Sequence, residues 1–173
     1  AMAHITDKGG QIAELLYDEA YVVNSDHPFK GNMNIEKLEE VIKYHGPKNI
    51  PFIRMEASTN LIGGQPFSVQ NMRDVRALAD KYGIRVVLDC SLLGENAYLV
   101  LKREEEFKNS DMKTVIHAFT ALADLCYFSA RKITSSRGGG MCTDNPEIIK
   151  ELEALVPLYE GFTTYGGISV REI

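Results

Sequence analysis

The chain has only 3 cysteines and 6 prolines in 173 residues. Cys90, Cys126 and Cys142 are an odd set without any C-x-x-C pair, each in or beside an apolar run, so they read as reduced, buried thiols. The scarcity of proline, with 45% apolar and 25% charged residues, excludes disorder, collagen-like repetition and low complexity. Also missing is any apolar run near the roughly 18 residues needed to span a bilayer, or an opening signal pattern. No membrane is therefore expected, and a cytoplasmic location is. With 24 acids against 19 bases and no basic stripe, no nucleic-acid partner is expected either. The length suits one domain.

What is present is periodic. Asn34 is placed to cap a helix whose apolar residues Ile35, Leu38, Val41 and Ile42 share a face, ending near His45-Gly46-Pro47. Ile50 to Glu56 reads as a short buried strand that runs into Ser58-Thr59-Asn60. After Gly63-Gly64-Gln65-Pro66, Ser68 caps a helix that Gly83 stops. Ile84 to Leu88 is the next strand and Glu95 to Phe107 the next helix, with Lys102-Arg103-Glu104-Glu105-Glu106 as a solvated face. Asp111 caps a third helix reaching Leu122. Leu125 to Ser129 reads as a strand, Arg131-Lys132 as a loop, and Gly138 to Cys142 as a further short strand. Asn145-Pro146 opens the last helix. Such alternation predicts an α/β fold, a mostly parallel sheet with helices on both faces. Sheets of this kind bind ligands at their strand C-termini, where Asn60, Asp89 and Ser129 to Lys132 fall.

An aspartate closing one buried strand and a lysine just beyond a later one are the minimum equipment for holding pyridoxal phosphate. Lys132 would supply an amine for the cofactor's aldehyde and later act as general base. Asp89 would keep the pyridine nitrogen protonated, so that the ring absorbs the electrons released when a substrate loses its α-proton. Ser129 is placed to donate to the phosphate, and Arg131 adds positive charge nearby. By spacing alone the signal is weak, because the same residue types are common at strand ends. A surface lysine, a loop-capping aspartate, an Asx turn at Asn60 and a backbone-satisfied Ser129 are the plain alternatives. His117 reads as a partly buried side chain, and no metal site is expected. The run Gly138 to Gly140 lacks a phosphate-loop frame and reads as a tight backbone approach.

Longer motifs carry more. Asn60 with Gly63-Gly64-Gln65-Pro66, Asp89 followed by Glu95-Asn96-Ala97-Tyr98, then Ser129-Ala130-Arg131-Lys132 and Tyr159-Glu160-Gly161-Phe162-Thr163-Thr164-Tyr165-Gly166-Gly167 resemble, in order and spacing, the tryptophanase and tyrosine phenol-lyase family. Phe29-Lys30-Gly31-Asn32 and Ile35-Glu36-Lys37-Leu38 add to the likeness, which runs from about His4 to the end of the chain. The resemblance implies part of the large domain of the aspartate aminotransferase fold (fold type I), pyridoxal 5'-phosphate as cofactor, β-elimination from an amino-acid substrate, and a homo-oligomer, usually a tetramer helped by a monovalent cation. It implies that Lys132 forms the Schiff base, Asp89 pairs with the pyridine nitrogen, Ser129 contacts the phosphate and Asn60 lies beside the phenolic oxygen.

Three positions depart from the family pattern. Leu92 stands where an arginine contacts the phenolic oxygen, Ile133 where an aspartate follows the lysine, and Arg137 where an asparagine helps hold the cation. A fixed guanidinium could replace that mobile ion. The likeness covers well under half of a family enzyme, lacking its N-terminal part and its C-terminal small domain. The chain is accordingly expected to be a fragment, a trimmed product or the product of a degenerate gene, and a poor catalyst alone. A noncatalytic scaffold or assembly domain is the alternative function.

Overall fold

The computed structural model of the protein describes residues 2–133, 138–159 and 161. In chain order these form α1 (Met2–Asp7), α2 (Ile35–His45), β1 (Phe52–Glu56), α3 (Val69–Tyr82), β2 (Arg85–Asp89), α4 (Leu93–Arg103), α5 (Met112–Thr120), β3 (Leu125–Ser129), α6 (Ala130–Ile133), β4 (Gly139–Cys142) and α7 (Pro146–Tyr159). Arg137, and Glu160 and Phe162 to Gly167 of the last motif, lie outside the described residues.

Helix ends fall where the side chains can satisfy them. Asn34 Oδ1 accepts from the Lys37 amide at 3.0 Å, Ser68 Oγ from Asn71 at 3.0 Å, and Asp111 Oδ1 from Thr114 at 2.7 Å. Gly83 closes α3 in the left-handed region at φ 66°. Asn145 accepts from the Glu147 amide at 2.9 Å, with Pro146 as the first helical residue of α7.

Strands β1, β2 and β3 are adjacent and parallel, and β4 returns antiparallel beside β3. The sheet is thus mostly parallel, and the fold is α/β. Alternation divides its faces. Ile53, Met55, Val86, Leu88 and Cys126 enter one core with Met72, Val75, Val100, Val115 and Phe119, from α3, α4 and α5. Phe67 and Phe119 meet edge to face in it, centroids 5.0 Å apart. The alternate residues Arg54, Glu56, Asp89 and Tyr127 gather on the opposite face. The Phe29 to Asn32 motif is buried against this frame. Asn32 Oδ1 accepts from the Ser68 amide at 2.9 Å, and a Cβ on Gly31 would lie 2.9 Å from the Pro66 carbonyl oxygen.

Several local expectations change, among them His117, which is exposed rather than partly buried. Arg131 and Lys132 lie in the helical turn α6 rather than a loop, because the Ala130 amide donates to Gly138 O at 3.0 Å and turns the chain at once after β3. Helix α4 starts at Leu93 and stops at Arg103, before a 3-10 turn over Glu105–Phe107. The charged stretch is not merely solvated. Glu104 accepts from the Val69 and Gln70 amides at 2.9 Å each, and Glu106 grips Arg73 through two bonds of 2.6 and 2.7 Å. Of the cysteines only Cys126 is buried; Cys90 is half-buried, and Cys142, on the outer strand β4, is exposed. The glycine run does mark a close approach, since a Cβ on Gly140 would come within 2.7 Å of the Phe128 ring.

Candidate active site

The C-terminal edge of the parallel strands carries a connected polar cluster. Arg54, on β1, donates from Nε to Tyr127 Oη at 2.7 Å, and from Nη2 to Glu56 Oε2 at 2.7 Å and Asp89 Oδ2 at 3.1 Å. Strand register sets this up, since Glu56 lies opposite Asp89 and Asp89 opposite Tyr127. Asp89 Oδ1 accepts from the Ser91 amide at 3.0 Å, and Ser91 Oγ accepts from the Ser129 amide at 3.0 Å. At the other end the Asn60 amide donates to Glu56 Oε1 at 3.2 Å. One chain of hydrogen bonds therefore runs from Asn60 to Ser129 through Glu56, Arg54, Asp89 and Ser91.

Ionisation follows from these contacts. Burial works against the Asp89 carboxylate, yet Ser91, Arg54 and Tyr127 outweigh it and hold the group below its ordinary value. Burial pushes the Tyr127 phenol up to about 12, so its hydroxyl stays protonated. Glu56 and Asp89 share one guanidinium, which leaves the cluster one net negative charge.

Lys132 stands apart from this cluster. It is exposed, and it lines an open groove of about 810 Å³ with Cys90, Leu93, Tyr98 and Phe128, on the helix side of the sheet. The partners of the Asp89 oxygens are Arg54, Ser91 and Tyr127, and Lys132 is not among them. Arg131 is exposed beside it, Leu92 is half-buried at the start of α4, and Ile133 is 54% exposed. The strand edge thus brings together Asn60, Asp89 and Ser129, and sets Arg131 and Lys132 on the turn that follows. Asn60 is exposed, and its turn is closed by backbone bonds: Thr59 N to Gln65 O at 2.9 Å and Gly64 N to Thr59 O at 3.0 Å.

Arg54, Glu56, Tyr127 and Ser91 were not foreseen in the sequence. The signal for them was available: Arg54 and Glu56 interrupt an otherwise apolar strand at alternate positions, which puts both on one face. Ser58 was missed as well. It has φ 53° and a buried hydroxyl without a hydrogen-bond partner.

These features sit in a family frame. The model of the family described as beta-eliminating lyase matches residues 1–162, and the chain belongs to that family. A tyrosine phenol-lyase of Pasteurella multocida is 37% identical over 172 residues, 99% of this chain and 38% of that protein. One from Nostoc punctiforme is 36% identical, covering 95% of this chain and 36% of that protein. A tryptophanase of Salinibacter ruber is 33% identical over 99% of this chain and 36% of its own length. This chain therefore spans 36% to 38% of the length of these relatives. Among solved structures, a transaminase from the marine bacterium Virgibacillus matches with a TM-score of 0.48 at 20% identity, over 75% of this chain and 27% of that one.

Proposed function

We propose that this chain is the cofactor-holding part of a pyridoxal-phosphate-dependent lyase, working in a homo-oligomer, that eliminates the Cβ substituent of an amino acid with an aromatic or sulfur-bearing side chain. The observation that carries the reading is the hydrogen-bonded chain through Asn60, Asp89 and Ser129 along three parallel strand ends. The charge of this cluster suits the cofactor's ring, whereas Lys132 lies on the helix side of the sheet, apart from Asp89. The cluster's one uncompensated negative charge, centred on a carboxylate that stays ionised, complements a protonated ring nitrogen. When bound, the cofactor supplies a sink for the electrons released at the substrate's Cα.

In this reading Lys132 would hold the cofactor's aldehyde and carry the substrate's α-proton, and Asp89 would keep the ring nitrogen charged. Ser129 and Arg131 hold the phosphate, and Asn60 lies beside the phenolic oxygen. Arg54, bonded to Asp89 at 3.1 Å, would compete with the ring for that carboxylate and so temper cofactor affinity.

A noncatalytic scaffold or assembly domain is the second reading. It is favoured by an Asp89 whose two oxygens already have donors in the protein, and by a Lys132 that faces the groove of α4. Mixing the chain with pyridoxal phosphate separates the two. The lyase reading predicts a visible absorbance band that Lys132→Ala removes and Asp89→Asn weakens. A spectrum indifferent to Lys132 favours the scaffold.

A further inference from the structure

The three cysteines are far apart in sequence and meet in space. Cys126 lies on β3 directly opposite Cys142 on β4, in antiparallel register. It is also level with Leu88 on β2, whose carbonyl oxygen lies 3.8 Å from the Cys90 sulfur. Cys90 and Cys142 both neighbour the Cys126 sulfur and favour its ionised form. Among the described residues no group of His, Cys, Asp and Glu is arranged to hold a metal ion, so these sulfurs are not read as a metal site.

We propose that Cys126 and Cys142 form a peroxide-oxidisable dithiol, a modification site that closes reversibly into a cross-strand disulfide. Residues directly opposite on antiparallel strands have Cα atoms about 4.5–5.5 Å apart, inside the roughly 4.4–6.8 Å that a disulfide spans. Being opposite, the two side chains also leave the sheet on the same face. Cys142 is exposed and can meet an oxidant, whereas Cys126 is buried behind it.

The chemistry balances with a hydroperoxide as the oxidant. Hydrogen peroxide oxidises the Cys142 thiol to a sulfenic acid, its O–O bond breaking and one water leaving. Cys126 sulfur then displaces the sulfenic oxygen, which departs as a second water, and the S–S bond forms. Two thiols lose two electrons in all, and one peroxide gains them. The neighbouring Cys90 thiol lowers the pKa of that nucleophile, with burial opposing it.

The experiment treats the full chain with dilute hydrogen peroxide, alkylates the remaining thiols in denaturant and maps the tryptic peptides. Cys90, Cys126 and Cys142 fall in three separate peptides. Expected is a linked pair joining the Cys126 and Cys142 peptides, with Cys90 alkylated. Its rate of formation should not change with protein concentration, and dithiothreitol should reverse it. Cys142→Ser, at an exposed position, should lose the link altogether, while Cys90→Ser should keep it and form it more slowly. A map with all three thiols alkylated or singly oxidised, a link from Cys90 to Cys126, or a bond between two chains would each overturn the proposal.

Discussion

Asn96 is fully buried and spends its side chain on the backbone, accepting from the amides of Ser58 at 3.1 Å and Phe67 at 3.0 Å and donating to Phe67 O at 2.9 Å. It ties the end of β1 to the turn before α3. Asn96→Ala strands three buried backbone groups, and a loss of about 3 kcal/mol is expected in urea unfolding. A variant as stable as the parent would contradict this clamp. Ser58 beside it is the opposite case, a residue the fold tolerates at a cost. A left-handed backbone favours glycine, and a buried hydroxyl without a partner is unfavourable. Ser58→Gly should therefore stabilise by about 1 kcal/mol and raise Tm. Neither role was legible beforehand. Asn96 lay inside a family motif with no role assigned to it, and nothing local in the sequence marks the φ of Ser58.

At the scale of elements, caps and periodicity were readable because they are local. Asn34, Ser68, Asp111 and Asn145 each start a helix where the spacing put it. Long-range contacts were not readable. Glu104 follows α4 in sequence, yet it serves the first turn of α3 by accepting the Val69 and Gln70 amides, a charge well placed against that helix's positive end. Glu104→Ala should cost about 1 kcal/mol and expose the start of α3 to faster amide exchange. Unchanged exchange at Val69 and Gln70 would show that the carboxylate contributes nothing there. Helix α6 escaped the sequence reading for a related reason: a turn of four residues has too little periodicity to register, and the backbone bond from Ala130 to Gly138 sets it.

The whole molecule is organised by a sheet with two chemistries, apolar toward α3, α4 and α5 and charged where Arg54 gathers Glu56, Asp89 and Tyr127. The parallel order and the strand-end location of Asn60, Asp89 and Ser129 followed from alternation of strands and helices. The direction each side chain takes did not, since it depends on strand register. Because the Asp89 carboxyl is held below its ordinary 3.8, the stability it contributes is complete above that pH and is lost as pH falls through the lower folded value. Asp89→Asn should be about 1–2 kcal/mol less stable at neutral pH, a figure reduced for the partial exposure of Arg54, and the gap should close in acid. A gap that persists unchanged at low pH would place its origin elsewhere than in the ionised carboxylate.

The lyase reading is most directly tested by borohydride reduction of the chain after incubation with pyridoxal phosphate, followed by peptide mapping. The predicted result is one adduct on Lys132, reduced in yield by Asp89→Asn and raised by removing the competing guanidinium in Arg54→Met. Labelling spread over the surface lysines, with Lys132 no more modified than Lys102 or Lys113 and no response to either variant, would contradict it.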